Sequence, residues 1–393
     1  MRIRSVIGRI APSTLLVTLA TSPVFLVASL SVVMRPDIVI PETRVGAAVA
    51  TNYLVAMLCS IPAGRSTQAR GARHGLGAGA ALLGAGVLSV ALARTWAVVL
   101  LGMVLAGAAT AFLQVAANLT IALTVPEERL GFAYSFKQSA IPLATLGAGL
   151  AVPLAVDVLP WRAVFLAVLL GVGLTWVVIV ASGSTGRADA APRGAPLPAR
   201  ALVPLTVGVA AASAAATSTA AFLVPFLVTI GSGAGAAGAL LGAGSFLTVV
   251  GRVLVGQARD RWRLDGLRIM VTQVLLGAAA LLVIGVSRDV HAPVLIAVLV
   301  AFLVGWAWSG VFTDAIVRGD PTAAAASTSV TQVGVYFGGG GGPLLFGWIV
   351  EARGYVLAWF LAAVLFVVSA MLVTIGRARL RAASTPAVTR RQG

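Results

Sequence analysis

Cysteine is almost missing from this 393-residue chain, which holds Cys59 alone. A disulfide framework and a thiolate metal cage each need several sulfurs, so both are excluded. Charge is scarce as well, at 10% of residues against about 25% in a soluble domain. Lysine is rarer still, because 27 of the 28 basic residues are arginine and only Lys137 is lysine. That bias, beside abundant Ala and Gly, points to a GC-rich bacterial genome. The two histidines, His74 and His291, fall in connections expected on opposite sides of a membrane and cannot share a site. No Ser/His/Asp set, H-E-x-x-H, Walker loop or dinucleotide fingerprint occurs, so neither catalysis nor ATP use is expected, and no cofactor or metal.

What the chain does have is hydrophobicity, at 59% of residues. A helix needs about 20 apolar residues to cross a hydrocarbon core roughly 30 Å thick. Apolar runs of that kind fall at 11–34, 44–63, 75–93, 96–124, 131–156 and 161–182, then at 201–228, 235–257, 267–287, 292–317, 323–350 and 355–376. The first begins like a signal peptide after Arg2 and Arg4 but is too long for one, and reads as an uncleaved span. The expected fold is all-α and integral to the membrane, with twelve transmembrane helices in two six-helix bundles. These are residues 1–182 and 201–393, the second with a short cytoplasmic tail, joined by a polar, proline-rich cytoplasmic linker at 183–200.

The net charge of +16 suggests a nucleic-acid binder only if the arginines gather on a soluble face, and here they sit between apolar runs. The termini and even-numbered connections carry twenty arginines and the odd-numbered ones six. Basic loops stay on the cytoplasmic side, so both termini are expected there, in a multi-pass protein of the cell membrane.

An offset near 193 residues recurs. Gly64 and Gln68 align with Gly256 and Asp260, Gln138 with Gln332, and Asp157 with Glu351. Each match joins segments of the same rank in the two halves, the mark of a duplicated bundle. Gly64-Arg65-Ser66-Thr67-Gln68-Ala69-Arg70-Gly71-Ala72-Arg73 and Gly256-Gln257-Ala258-Arg259-Asp260-Arg261 resemble the G-x-x-x-D-R/K-x-G-R/K-R/K loop of the major facilitator superfamily. The likeness spans the chain and implies two bundles rocking about a central site. It also implies a charged gate at these connections, carried by Asp260, Arg261 and Gln68, although Gln68 replaces the acid. Met103 stands where drug–proton antiporters of the family often carry arginine, four residues before Gly107. Their helix-5 Gly-Pro motif is likewise missing, while Gly338 to Gly342 followed by Pro343 resembles it in helix 11.

Polar groups inside spans are costly and merit a role. Lys137 and Gln138, beside the central cavity by the resemblance, are candidates to bind an anionic group of a substrate, or else Lys137 snorkels to the interface. Asn52, Gln114 and Gln332 are the other candidate substrate ligands. Asp314 is the clear intramembrane acid: with a coupling proton as partner it is a proton-coupling site, and otherwise it pairs with Arg318 four residues on. Arg252 is a gate residue or a snorkelling one. The five glycines from Gly338 are a bending point or a close packing surface.

The expected function is that of a monomeric secondary transporter for a small solute, a small organic anion by the reading of Lys137. Proton-coupled multidrug efflux is the rival within transport, and a non-transporting sensor or scaffold the rival from another class.

Overall fold

The computed structural model describes residues 3–126, 130–182, 197–287, 289–290, 292–319 and 324–384. Among these residues, twelve helices are long and apolar enough to cross a membrane, the first six being α1 Val6–Met34, α2 Glu42–Arg70, α3 Ala72–Ala91, α4 Trp96–Thr124, α5 Phe136–Asp157 and α6 Trp161–Ala181. The second set is α7 Ala199–Thr229, α8 Ala234–Arg259, α9 Gly266–Val286, α10 Ala292–Arg318, α11 Ser327–Arg353 and α12 Tyr355–Ala382. Of the expected linker, 183–196 lies outside the described residues, and α7 already begins at Ala199, directly after Pro198. An even number of helices puts the start of α1 and the end of α12 on one face, called here the terminal face. The other is the opposite face.

The duplication is visible in the packing. Within the first six helices α1 meets α4, α5 and α6, α3 meets α4 and α6, and α2 meets α4. The second six repeat most of the scheme, with α7 against α11 and α12, α9 against α10 and α12, and α8 against α10. The halves join through α2 with α11 and α5 with α8, themselves related by a shift of six, and through α1 with α7 at the centre. Burial follows this plan. Nearly all of α7 from Ala211 to Leu227 is buried, whereas α6 presents Leu166, Leu170, Leu174 and Val177 outward. Apolar side chains facing out from a packed bundle suit lipid rather than water.

The two motif segments, expected as loops, are helical. α2 continues through Gly64 to Arg70 and the second copy continues to Trp262, because nothing before Gly71 or Arg263 breaks the helical pattern. The connections shrink to a turn. Gly71 has φ +92°, and its repeat mate Arg263, 192 residues later, has φ +49°. A left-handed residue at the same place in each half ends the helix; glycine takes that conformation freely, whereas an arginine there is strained.

The second half braces its terminal face through Asp265. Its carboxylate caps α9 by accepting from the backbone N–H groups of Leu267 (3.0 Å) and Arg268 (3.2 Å). It also accepts from Arg377 Nε (2.8 Å) and Arg381 Nη2 (2.9 Å) at the end of α12. Burial pushes this carboxyl up, but the bonds from Arg377 and the Arg268 N–H, with both guanidinium charges, hold it below the usual carboxylate range. On the opposite face of the first half, bonds from Trp161 and Arg162 likewise hold the Asp37 carboxyl low.

Glycine governs how α11 sits. Gly334, Gly338 and Gly342 recur every four residues, and a Cβ at each would strike Thr206, Ala210 or Ala214 of α7, which recur at the same interval. A second face meets α2 across the halves, where Gly340 lies against Ala50, Gly347 against Glu42, and the Pro343 carbonyl against Gly46. The helix is continuous through the glycine run. Close packing, not a bend, is what these residues serve in the structure.

Candidate functional site

The seams between the halves differ on the two faces. Towards the opposite face both are tight: α2 abuts α11 at the glycines just named, and α5 abuts α8 where Gly149 meets Gly238 and Gly242. A polar latch caps the first seam. Pro41 gives α2 no side-chain cap, and the Glu351 carboxylate of α11 supplies one from the other half, accepting from Thr43 N (2.7 Å) and Thr43 Oγ1 (2.7 Å). An anion suits the positive end of a helix. The sequence marks Glu351 only as the repeat mate of Asp157, which is exposed.

At mid-depth the central helices meet through rings and hydroxyls. Ser213 Oγ of α7 donates to the Val335 carbonyl of α11 (2.8 Å), and the ring of Tyr53 on α2 lies 6.3 Å from that of Tyr336 on α11. Phe25 of α1 reaches Trp306 of α10 edge to face at 6.1 Å. A cavity of ≈ 10 Å³ beside them, lined by Thr219, Phe302, Trp306 and Phe366 among others, has room for about one water.

Two helices are interrupted, α5 towards the terminal face and α10 at mid-depth. A first segment, Leu130–Gln138, ends where α5 turns at Ser139 and resumes at Ala140. Pro142 has no N–H to offer the carbonyl four residues before it, which is that of Gln138. In α10 the residues Ala301–Gly305 form a π-helical turn, and the α-helix resumes at Trp308. Freed carbonyls in an apolar interior need donors, and α8 supplies them. Thr248 Oγ1 donates to the Phe302 carbonyl (2.8 Å), and Arg252 donates to those of Gln138 (2.6 Å) and Trp306 (3.2 Å). One arginine thus stitches a break in each half. The same pattern recurs at Pro204, four residues after Arg200, whose carbonyl receives Arg379 Nη1 at 2.8 Å.

The expected site residues are placed as follows. Lys137 is 6% exposed and donates to Asn118 Oδ1 on α4 (2.9 Å), so it points into the bundle instead of snorkelling. Gln138 joins the same turn through its carbonyl. Asn52 is buried on α2, and its Nδ2 has no partner. Gln114 on α4 and Gln332 on α11 are half-buried, and no hydrogen bond joins either to Lys137 or Arg252. Gln68 and Arg261 are exposed at helix ends, and the side chain of Asp260 lies outside the described ones. Asp314 is ion-paired with Arg259 of the motif segment and with Arg318 (2.9 Å), tying α8 to α10. No group of three or more potential metal ligands occurs among the described residues.

Lys137, Gln138 and Arg252 are therefore brought to one turn, while Asn52, Gln114 and Gln332 remain on separate helices. The Thr43–Glu351 latch and the π-helical turn have no signature in the residue pattern. The orphaned Gln138 carbonyl had one, in the spacing to Pro142.

No curated protein matches the chain. Two solved structures with its fold are those of a bacterial homologue of the human lysosomal transporter Spinster. The inward-facing, occupied form shares 16% identity at a TM-score of 0.73, over 94% of this chain and 96% of that one. The inward-facing, unoccupied form shares 15% at 0.74, over 98% and 100%. The sequence model of the Major Facilitator Superfamily matches residues 10–343. With its twelve apolar helices, its repeated pairing and its two seams, the chain is a multi-pass membrane protein that belongs to the Major Facilitator Superfamily.

Proposed function

We propose that the protein is a secondary transporter that carries a small organic anion across the cell membrane by alternating access. The observation that carries this reading is the unequal pair of seams: glycine-packed and latched by Glu351 on the opposite face, and held by Arg252 nearer the terminal face. Two halves that meet through repeat-related helix pairs can rock between states in which one seam or the other is parted. The anionic preference rests on Lys137, which is buried, and Arg252, which is half-buried, two cations in the terminal half of the bundle with no acidic partner among the described residues. Asp314 acts as a brace between α8 and α10, since two guanidinium groups share its carboxylate. The protein works as a monomer with both termini in the cytoplasm.

The test is a disulfide across the latch. Thr43→Cys and Glu351→Cys are placed in a Cys59→Ser background, and the protein is reconstituted into vesicles. Exchange of radiolabelled acetate, lactate and succinate is then measured. Saturable flux of at least one acid is expected under reducing conditions, falling more than tenfold on oxidation and returning with reductant. Flux unaffected by the crosslink would overturn alternating access. No flux of any acid would overturn the anion reading, and pH-driven export of hydrophobic cations would put drug efflux in its place.

A further inference from the structure

Arg252 lies ten residues inside Trp262, about 15 Å along the helix. A guanidinium has five N–H donors. Two bonds to backbone carbonyls are all that this one makes, and its Nε is buried without a partner. Lys137 brings three donors and uses one, on a neutral amide. The acids on the surrounding helices are committed or remote. Asp314 of α10 is held by Arg259 and Arg318, Asp157 is at the other end of α5, Asp260 is eight residues beyond Arg252 in the sequence of its own helix, and α1 and α4 carry none. Two full charges within the bundle with spare donors and, among the described residues, no counter-ion are expensive as a permanent arrangement. They suit a guest that brings the missing charge.

We propose that Lys137 and Arg252 form one oxyanion site at the break of α5, where a carboxylate or phosphate group of the solute draws Arg252 off the Gln138 carbonyl and loosens the α5–α8 contact. This rests on the transport reading above and adds to it the ligand group, the second cation and the link between binding and opening. The guanidinium fork matches an oxyanion bidentately, while the ammonium adds a second charge. The Gln138 carbonyl is a weaker competitor for Arg252 because it is neutral. An arriving anion therefore exchanges a structural bond for a charge-assisted one, and the first α5–α8 contact to part is this one, at the terminal end of the seam.

Purified protein in detergent is unfolded thermally in sodium acetate, sodium succinate or sodium phosphate, with sodium chloride at matched ionic strength as reference. Wild type is expected to show a saturable rise in Tm with at least one oxyanion. The acetate and succinate arms identify a carboxylate site, and the phosphate arm a phosphate site. Arg252→Gln, which keeps an amide donor for the carbonyls, and Lys137→Gln are each expected to weaken apparent affinity at least tenfold, with Arg252→Lys in between. If Arg252→Gln does not yield monodisperse protein, Arg252→Lys and Lys137→Gln decide. Hydrogen exchange in 130–141 is expected to rise with saturating oxyanion in wild type and not in Lys137→Gln. No oxyanion effect beyond chloride, or equal affinity in every variant, overturns the site. Binding without altered exchange overturns the link to opening. Acid flux that survives both substitutions sinks this inference and leaves transport standing; binding lost in both variants with no flux in wild type does the reverse.

Discussion

Single side chains decide the terminal face of the second half, and Asp265 is the one whose removal is easiest to read. It caps α9 and holds Arg377 and Arg381 at once. Its folded-state pKa is depressed, so its contribution is fully present above the unfolded value of about 3.9 and is lost as pH falls through the folded value. Asp265→Asn keeps a good cap but loses the charge, and should cost about 1 kcal/mol at neutral pH. Thermal unfolding of both proteins across pH should show that gap closing below roughly pH 4; a gap constant with pH would mean that the charge is not what matters. At this scale the sequence was only partly legible. Arg252 and Lys137 stand out in any reading because ionisable groups are rare in these spans. Their partners do not, since a backbone carbonyl and an amide on other helices leave no trace in local pattern. Glu351 was legible as a repeat mate but not as a cap, because the helix end that it caps lies 308 residues away.

Among the elements, α11 separates two explanations of one motif. If the glycine run is a packing surface, the effect of adding a methyl depends on which side receives it. Gly338 faces the Ala210 carbonyl, so Gly338→Ala should cost about 1–3 kcal/mol through overpacking. Gly341 has open space, so Gly341→Ala should gain about 0.5–1 kcal/mol from the stiffer backbone. Melting temperatures in detergent, with flux measured alongside, check both. A Gly341→Ala protein that is more stable yet transports poorly would restore the hinge. Element existence was plain from hydropathy, because twenty apolar residues in a row have few other fates. The ends were less so: the motif segments continue as helix up to Gly71 and Arg263, where backbone conformation, not polarity, stops them. The π-helical turn in α10 escaped because its setting is tertiary: it packs closely against Gly244 and Gly251 of α8 and Gly277 of α9, contacts that leave no local pattern.

For the whole molecule, the two-bundle plan was legible from the repeat offset and the arginine asymmetry, and the pairing of helices bears it out. The proposed orientation, with both termini in the cytoplasm, rests on the same arginines. Tags fused before Met1 and after Gly393 should both be inaccessible to an impermeant protease in intact cells and cleaved once the membrane is opened. A tag cleaved in intact cells would invert the assignment.

The two faces of α11 are unlike in one further respect. Against α7 the glycines mesh at regular four-residue intervals with Thr206, Ala210 and Ala214, like teeth in a rack; against α2 the close contacts are at Gly46, Gly340 and Gly347 without that interval, and the seam is fastened at its end by Glu351. Slippage along the first contact would drive every tooth into its neighbour, so α7 and α11 travel as one casting. Whatever work the transport cycle does on α11 is therefore delivered to the centre of the molecule through α7, without loss in a flexing joint.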